Sequence, residues 1–296
     1  METKYFGALE AGGTKMICGI VDSSGKIIDQ STFPTKSPEE TIPVLLNYFK
    51  KYQMAALGIG TFGPVDVREG SPTYGSILST PKPGWKDFSY IQNFKELGVP
   101  IGIDTDVNAS CIGEMTFGSA KGLKNVIYIT IGTGIGVGIC AEGKMIHGIL
   151  HPEAGHVLLS KRSDDKGESS CPFHQNCLEG LASGPSLQKR YGKPANELRD
   201  NKEVWDLEAD YIAQAIVGYI FTVCPQRIIL GGGVMHQEHL FELIRKKVIE
   251  KINGYVVTKE LEKIDEYIIP ASLNDDQGLL GSAKIGMDAY SKLDKK

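Results

Sequence analysis

Several things are scarce in this chain of 296 residues. No apolar run approaches the roughly 20 residues needed to cross a bilayer. The start, METKYFGALEAGG, lacks the charged-then-apolar pattern of a signal peptide. A cytoplasmic protein with no membrane partner is therefore expected. Positive charge does not dominate either: 32 Lys and Arg against 36 Asp and Glu leave a net charge of −4. A nucleic-acid binder would instead present a basic face, and the Lys-rich end, SKLDKK, reads as a solvated helix terminus. The Walker pattern GxxxxGK[ST] is missing. The segment TIGTGIG is not followed by the helix that a dinucleotide fingerprint requires, which sets aside P-loop enzymes and simple dehydrogenases. The six cysteines do not make a disulfide framework in a chain of this size. Cys18, Cys111 and Cys140 sit in apolar surroundings and read as small core residues. What is present is a globular composition, 41% hydrophobic and 23% charged, long enough for two domains with separate cores.

The order of elements carries the first positive signal. Residues 4–10 and 15–21 are strand-like around the turn in EAGGTK, and a third strand is expected near 26–33. Ser37, Pro38 and Glu40 give N-cap, N1 and N3 signals for a helix, and Pro43 suggests that its regular part begins later. Strands are expected at 54–60 and 99–104, and a helix at about 108–119. The second half echoes the first, YITIGTGIGVGICAEGKMI (128–146) against ALEAGGTKMICGIVDSSGKII (8–28). Strand 227–230, helix 236–252, strand 267–270 and helix 275–291 follow. Such an echo predicts duplicated α/β domains.

The turns themselves suggest a ligand. Hairpins rich in Gly and Thr expose backbone N–H groups with no side chain in the way, which suits phosphate oxygens. Gly12-Gly13-Thr14-Lys15 and Gly132-Thr133-Gly134 are two such turns, and Gly231-Gly232-Gly233 follows a buried strand. Three glycine runs over two similar halves favour a nucleotide. In IGIDTDVNASCIGE a strand ends and a helix begins, and Asp106 there reads either as a helix N-cap or as a general base for an attacking hydroxyl. Asp104, two residues earlier, lies on the same face if the strand continues, so spacing does not separate the two.

Cys171-x2-His174-x2-Cys177 places three zinc-type ligands in one short loop, and His156 could complete a tetrahedral structural site. His147 and His151 are alternatives to His156 that spacing leaves open. Glu153 and Glu179 flank these ligands, and carboxylates held by a metal-fixed loop are good acceptors for sugar hydroxyls.

Together these motifs resemble those of the ROK family (repressors, open reading frames and kinases), within the actin-like and hexokinase-like sugar kinases, over nearly the whole chain. EAGGTK resembles the family's first phosphate motif, DIGGTK, and GTGIGVGI its second. LGGGVM resembles the adenosine motif, and TPKPGW the segment closing the sugar side. The resemblance thus implies nucleotide contacts at Gly12, Gly13, Thr14, Lys15, Gly132, Thr133, Gly134, Ala182, Gly231, Gly232 and Gly233. DTDVNASCIGE resembles NDANAAALGE, which puts Asp106 on the catalytic aspartate, and Thr105 beside it among the sugar contacts. PEAGH resembles the ExGH sugar motif, giving sugar contacts at Glu153, His156 and Glu179. The resemblance also implies that one His156 ring nitrogen meets zinc and the other lies near the sugar.

The fold so implied is α/β, two ribonuclease-H-like (actin-like ATPase) domains with a cleft between them. These would be residues 1–113 and 114–296, with the final helix a candidate to pack back on the first. Implied cofactors are ATP, Mg2+ and Zn2+, the implied substrate is a hexose phosphorylated at O6, and the implied assembly is a homodimer. Three departures refine this. Glu10 stands where the first motif usually has Asp, which leaves the local magnesium geometry open. Thr105 replaces the Asn of the family's glucokinases. CxxHxxC replaces the commoner CxCGxxGC. These features look most like the family's bacterial fructokinases, so fructose is expected ahead of glucose or mannose. A repressor would carry a helix-turn-helix segment ahead of the first motif. A non-catalytic sensor would be expected to lose the aspartate or a turn, and this chain keeps Asp106 and both turns.

Overall fold

The computed structural model describes residues 3–80 and 82–293. Pro81 of TPKPGW, the first two residues of METKYF and the last three of SKLDKK lie outside the described residues. The chain forms two compact units. Unit one comprises Met1–Gly122, Met145–Pro152 and Ser272–Lys296, and unit two comprises Leu123–Lys144 and Glu153–Ala271.

In unit one, strands β1 (Tyr5–Ala11), β2 (Lys15–Asp22) and β3 (Ile27–Pro34) are followed by helix α1 (Pro38–Phe49) and strand β4 (Leu57–Thr61). Helix α2 (Tyr90–Phe94), strand β5 (Ile101–Thr105) and helix α3 (Asp106–Thr116) come next. The sheet order is β3-β2-β1-β4-β5. Strand β1 is apolar on both faces because both are covered. Leu9 and Ala11 join Leu45, Leu46 and Phe49 of α1 in one core, while Ala8 packs with Leu279, Leu280 and Ala283 in another. Strand β3, at the sheet edge, alternates between partly and fully exposed residues, as an edge strand does.

Two local expectations are corrected in this unit. Ser37 and Pro38 do take the N-cap and first helical positions, without a side-chain cap bond, but α1 runs from Pro38 straight through Pro43 rather than beginning later. The helix tolerates the backbone hydrogen bond that Pro43 forfeits because Ile42, Leu45, Leu46 and Phe49 are buried along it. Helix α3 begins at Asp106 rather than near 108, since the strand before it stops at Thr105.

In unit two the strands are β6 (Val126–Ile131), β7 (Ile135–Ala141) and β8 (Lys144–Met145), then β9 (Arg227–Gly231) and β10 (Ile268–Pro270). Helices α4 (Leu178–Ala182), α5 (Gly184–Tyr191) and α6 (Lys202–Val223) precede β9. Helices α7 (His239–Ile252), α8 (Lys259–Glu262) and α9 (Ile264–Tyr267) follow it. The sheet order, β10-β9-β6-β7-β8, is that of unit one. The first two strands pair antiparallel in both, and β6–β9 and β9–β10 are parallel, as are β1–β4 and β4–β5. The echo in the sequence is thus a repeated sheet topology.

The 22-residue α6 is an element that motif reading passed over. Its signals are present: Asn201 accepts the Val204 N–H, and Val204, Trp205, Leu207, Tyr211 and Ile212 are buried at helical spacing.

The final helix, α10 (Gln277–Ser291), belongs to unit one and crosses α3 at close range. A Cβ at Gly281 would lie 1.6 Å from the Ala109 carbonyl oxygen, and one at Gly113 would lie 2.2 Å from that of Gln277. Glycine lets the two backbones touch. Residue 113, the expected domain boundary, therefore falls inside the helix that α10 packs against. No helix among the described residues is long and apolar enough to cross a membrane.

Candidate active site

In unit one the site is built at the junction of β5 and α3. Thr105 is the cap of α3, its Oγ1 accepting the Asn108 N–H at 3.1 Å. Asp106 is the first helical residue, so it is not the cap, and its Oδ1 accepts the Val107 N–H at 2.8 Å. Burial pushes its carboxyl up to about 6, against the opposing effect of backbone hydrogen bonds. A carboxyl in that range takes and gives up a proton near neutral pH, as a general base must.

Asp104 is used differently. It is 6% exposed and accepts hydrogen bonds from the Thr105 N–H (2.8 Å) and the Asn108 side-chain amide (2.7 Å), while His147 Nε2 stands 3.1 Å from its Oδ2. The strand does not continue past Thr105, so the shared face that spacing allowed for the two aspartates does not arise. Thr105 is 4% exposed and its hydroxyl is committed to the cap, so this position offers a sugar little open surface, contrary to the expectation of a direct contact.

The first glycine turn is tightly held. Gly12 N–H donates to the Lys15 carbonyl (3.0 Å), the Thr35 hydroxyl to the Gly12 carbonyl (2.8 Å), and Thr35 N–H to the Thr14 carbonyl (2.9 Å). The Lys82 ammonium donates to the Gly13 carbonyl, while Thr14 and Lys15 are exposed. On the strand leading into the turn, Glu10 packs against Gly278, where an added Cβ would lie 2.6 Å from its carboxyl carbon. Burial, then the nearby charges of Asp106, Asp276 and Asp275, push Glu10 up to about 7, with Lys15 acting against them. Its Oε2 is buried without a hydrogen-bond partner among the described residues.

In unit two, two glycine runs meet at the ends of the adjacent parallel strands β6 and β9. Gly132 N–H donates to the Gly134 carbonyl (2.9 Å), and Gly184 N–H donates to the Gly132 carbonyl (2.8 Å). Gly232 has φ 89°, and a Cβ there would lie 2.5 Å from the Ile131 carbonyl oxygen. Thr133 and Gly233 are exposed. Two of the expected nucleotide contacts are buried. Ala182 is fully buried in the unit's core. Gly231 is buried with room for nothing more, since a Cβ there would lie 2.1 Å from the Tyr128 hydroxyl.

The same unit gathers His156, Cys171, His174 and Cys177, whose ligand atoms all lie within 4.8 Å of one another. His156 Nδ1 stands 3.8 Å from Cys171 Sγ and 3.6 Å from Cys177 Sγ, and His174 Nδ1 stands 3.6 Å from Cys171 Sγ. Tetrahedral zinc with ordinary Zn–S and Zn–N bonds puts neighbouring donors about 3.6 Å apart, so this donor set fits a metal ion. Both cysteines are free, which sets aside a disulfide between them. His147 and His151 are not in the cluster. They belong to unit one, where His151 Nε2 accepts the Val65 N–H at 3.2 Å.

His156 Nε2 faces away from the other three ligands and stands 3.9 Å from Glu179 Oε1. Glu179 Oε2 accepts the Ile135 N–H at 2.9 Å, immediately after the second glycine turn. This carboxylate ties the Cys/His loop to the glycine turn, a link that no spacing in the sequence announces. Glu153, just before the short 3-10 turn Ala154–His156, is exposed.

Two α/β units of one sheet topology, each with a Gly/Thr hairpin after its first strand, define the actin-like ATPase class of fold. A family model described as the ROK family matches residues 6–288, and the chain belongs to that family. A fructokinase of Pediococcus pentosaceus is 42% identical over 284 residues, 96% of this chain and 98% of the relative. A fructokinase of Lactococcus lactis subsp. cremoris is 41% identical over 292 residues, 97% of this chain and 99% of the relative. Among solved structures, the ROK hexokinase from Thermus thermophilus superposes with a TM-score of 0.80 at 25% identity, covering 99% of this chain and 100% of that one.

Proposed function

We infer that the chain is a fructokinase, transferring the γ-phosphoryl group of ATP to O6 of D-fructose to give fructose 6-phosphate and ADP. The observation that carries this reading is Asp106, a helix-initiating aspartate freed from capping by Thr105 and pushed up to about 6 by burial. Deprotonated, it accepts the proton of the 6-hydroxyl as the new P–O bond forms and the bond to the ADP oxygen breaks. In unit one the backbone of Gly12 and Gly13, with Thr14 and Lys15, meets nucleotide phosphates. In unit two Gly132, Thr133, Gly134, Gly232 and Gly233 offer backbone to the nucleotide, while Glu153, His156 and Glu179 accept or orient sugar hydroxyls.

The four-ligand cluster holds zinc in this reading, and zinc so bound would shape the sugar loop without entering the chemistry. The residue that suits the magnesium carried by the nucleotide is Glu10, with its buried, unpartnered oxygen. A homodimer working in the cytoplasm belongs to the same reading. The test is a coupled ADP-release assay across fructose, glucose and mannose, with and without a chelator. Fructose is expected to give the highest kcat/KM. A glucose preference reverses the choice of sugar, and no hexose-dependent ADP release removes the kinase reading.

A further inference from the structure

Strands β1, β4 and β5 run parallel and end in register, Ala11 beside Thr61 and Thr61 beside Thr105. The residues that follow these three ends are the first glycine turn, Phe62 and Asp106. In open α/β sheets a ligand binds outside such carboxyl ends. Neighbouring strands lie about 4.8 Å apart, so the turn and Asp106 leave the sheet about 10 Å from each other, with Phe62 between them.

Lys82 reaches this edge from a distant loop. Trp85 in that loop is 1% exposed and anchors it. The Trp85 ring packs on Phe62 with centroids 5.5 Å apart, and its Nε1–H donates to the Lys36 carbonyl at 2.8 Å. The Lys82 ammonium donates to the Gly13 carbonyl and stands 5.4 Å from the centre of the Phe62 ring. It therefore bridges the turn and the end of β4, the strand that separates the turn from Asp106.

This contact leaves donors unused. An ammonium has three N–H groups, and among the described residues Gly13 is the hydrogen-bond partner of Lys82. The Gly13 and Thr14 N–H groups donate to no partner among the described residues. A cation with spare donors thus stands beside spare backbone donors, an arrangement that suits an anion with several oxygens.

Resting on the reading of the first turn as a phosphate site, we propose that Lys82 contacts the γ-phosphoryl group of ATP and holds it between that turn and Asp106. As the bond to the ADP oxygen breaks and the bond to the sugar oxygen forms, the electron pair leaves with ADP and the hydroxyl proton goes to Asp106. Lys82 exchanges no proton, and its charge offsets that on the phosphoryl oxygens. A lysine that only stapled the loop to the turn would need a single N–H and would affect ADP and ATP alike. One that meets the γ-phosphoryl group tells them apart.

The first measurement is calorimetric binding of ADP, and of the β,γ-imido analogue of ATP, to the wild type and Lys82→Met with magnesium present. Loss of a charged donor is expected to weaken the analogue about ten- to a hundred-fold and leave ADP at wild-type affinity. In the ADP-release assay kcat should fall about 10²–10³-fold, with part recovered by Lys82→Arg. Equal weakening of both nucleotides, or of neither, overturns the proposal, and so does a Lys82→Met variant with wild-type kcat.

The second measurement uses the wild-type protein and needs no turnover. Amine acetylation read by mass spectrometry should find Lys82 protected by the ATP analogue and not by ADP. Equal labelling with either nucleotide refutes the contact, even where hexose-dependent ADP release stands. Protection by the analogue in a protein showing no such release would instead leave the contact standing and remove the kinase reading.

Discussion

The two units wind their sheets in the same order and close their first hairpins with similar turns, yet the carboxylates near the candidate site stand in different surroundings. In unit one, Glu10 and Asp106 are desolvated near each other and pushed up to about 7 and about 6. In unit two, Glu179 accepts a backbone N–H from Ile135 and faces the outer nitrogen of a Cys/His cluster ring. A backbone donor favours the charged form of a carboxylate, and at Asp106 desolvation outweighs the one that Val107 supplies. The duplicated fold thus supplied two similar turns, and side-chain environment sets the carboxylates of the two units apart.

The sharpest way to break that contrast is Asp106→Asn. The fold should survive, because Thr105 supplies the cap, while kcat falls by about 10²–10⁴-fold, the usual contribution of a general base. A residual rate above about a tenth of wild type in the ADP-release assay would remove Asp106 from that role.

On the other side of the contrast, metal analysis of purified protein should find about one zinc per chain. Cys177→Ser should lose it together with several kcal/mol of stability, seen as a lower unfolding temperature that chelator treatment of the wild type reproduces. Zinc-free protein of undiminished stability and activity would leave unit two without its support.

The pH dependence should belong to unit one. Activity should climb as pH rises through about 6, where Asp106 loses its proton, and level off above. A flat profile across that range contradicts the proton-exchange role. For stability, the folded-state pKa of Glu10 is raised from 4.5 to about 7, so the folded chain binds this proton more tightly than the unfolded one. Its contribution is full below about 4.5 and is lost as pH rises through about 7. Glu10→Gln should flatten that slope in denaturant titrations and, on the order of 1–3 kcal/mol, stabilise the chain at pH above it. An unchanged slope would show that Glu10 is not the group responsible.

The smallest expected effect is at Thr105→Asn. Asparagine caps helices as well as threonine does, so stability should hold, and because position 105 is 4% exposed the fructose-to-glucose ratio of kcat/KM should stay near wild type. A ratio that drops several-fold would return position 105 to sugar selection.

Much of this was legible in the chain itself. Strands with both faces covered read as apolar runs, the Gly/Thr turns stand between them, and the repeated topology shows as an echo in sequence. What was not legible depended on contacts between distant segments. The Asn201 cap and the apolar spacing of α6 were present but unmarked by any motif. The link from Glu179 to Ile135 and that from His147 to Asp104 join residues more than 40 positions apart.

By itself, then, the sequence determined the order of elements, the family, and a short set of acids, glycines and metal-type ligands, because local periodicity and spacing encode these directly. Only the tertiary structure decided among them. Placing the cap at Thr105 made Asp106 a helical residue with a desolvated carboxyl, and left Asp104 to Asn108 and His147. Ala182 and Gly231 are buried, and folding brought His156 rather than His147 or His151 to the Cys/His cluster. Each of these choices depends on which groups water is excluded from and which partner stands within hydrogen-bond reach, and neither exists until the chain is folded.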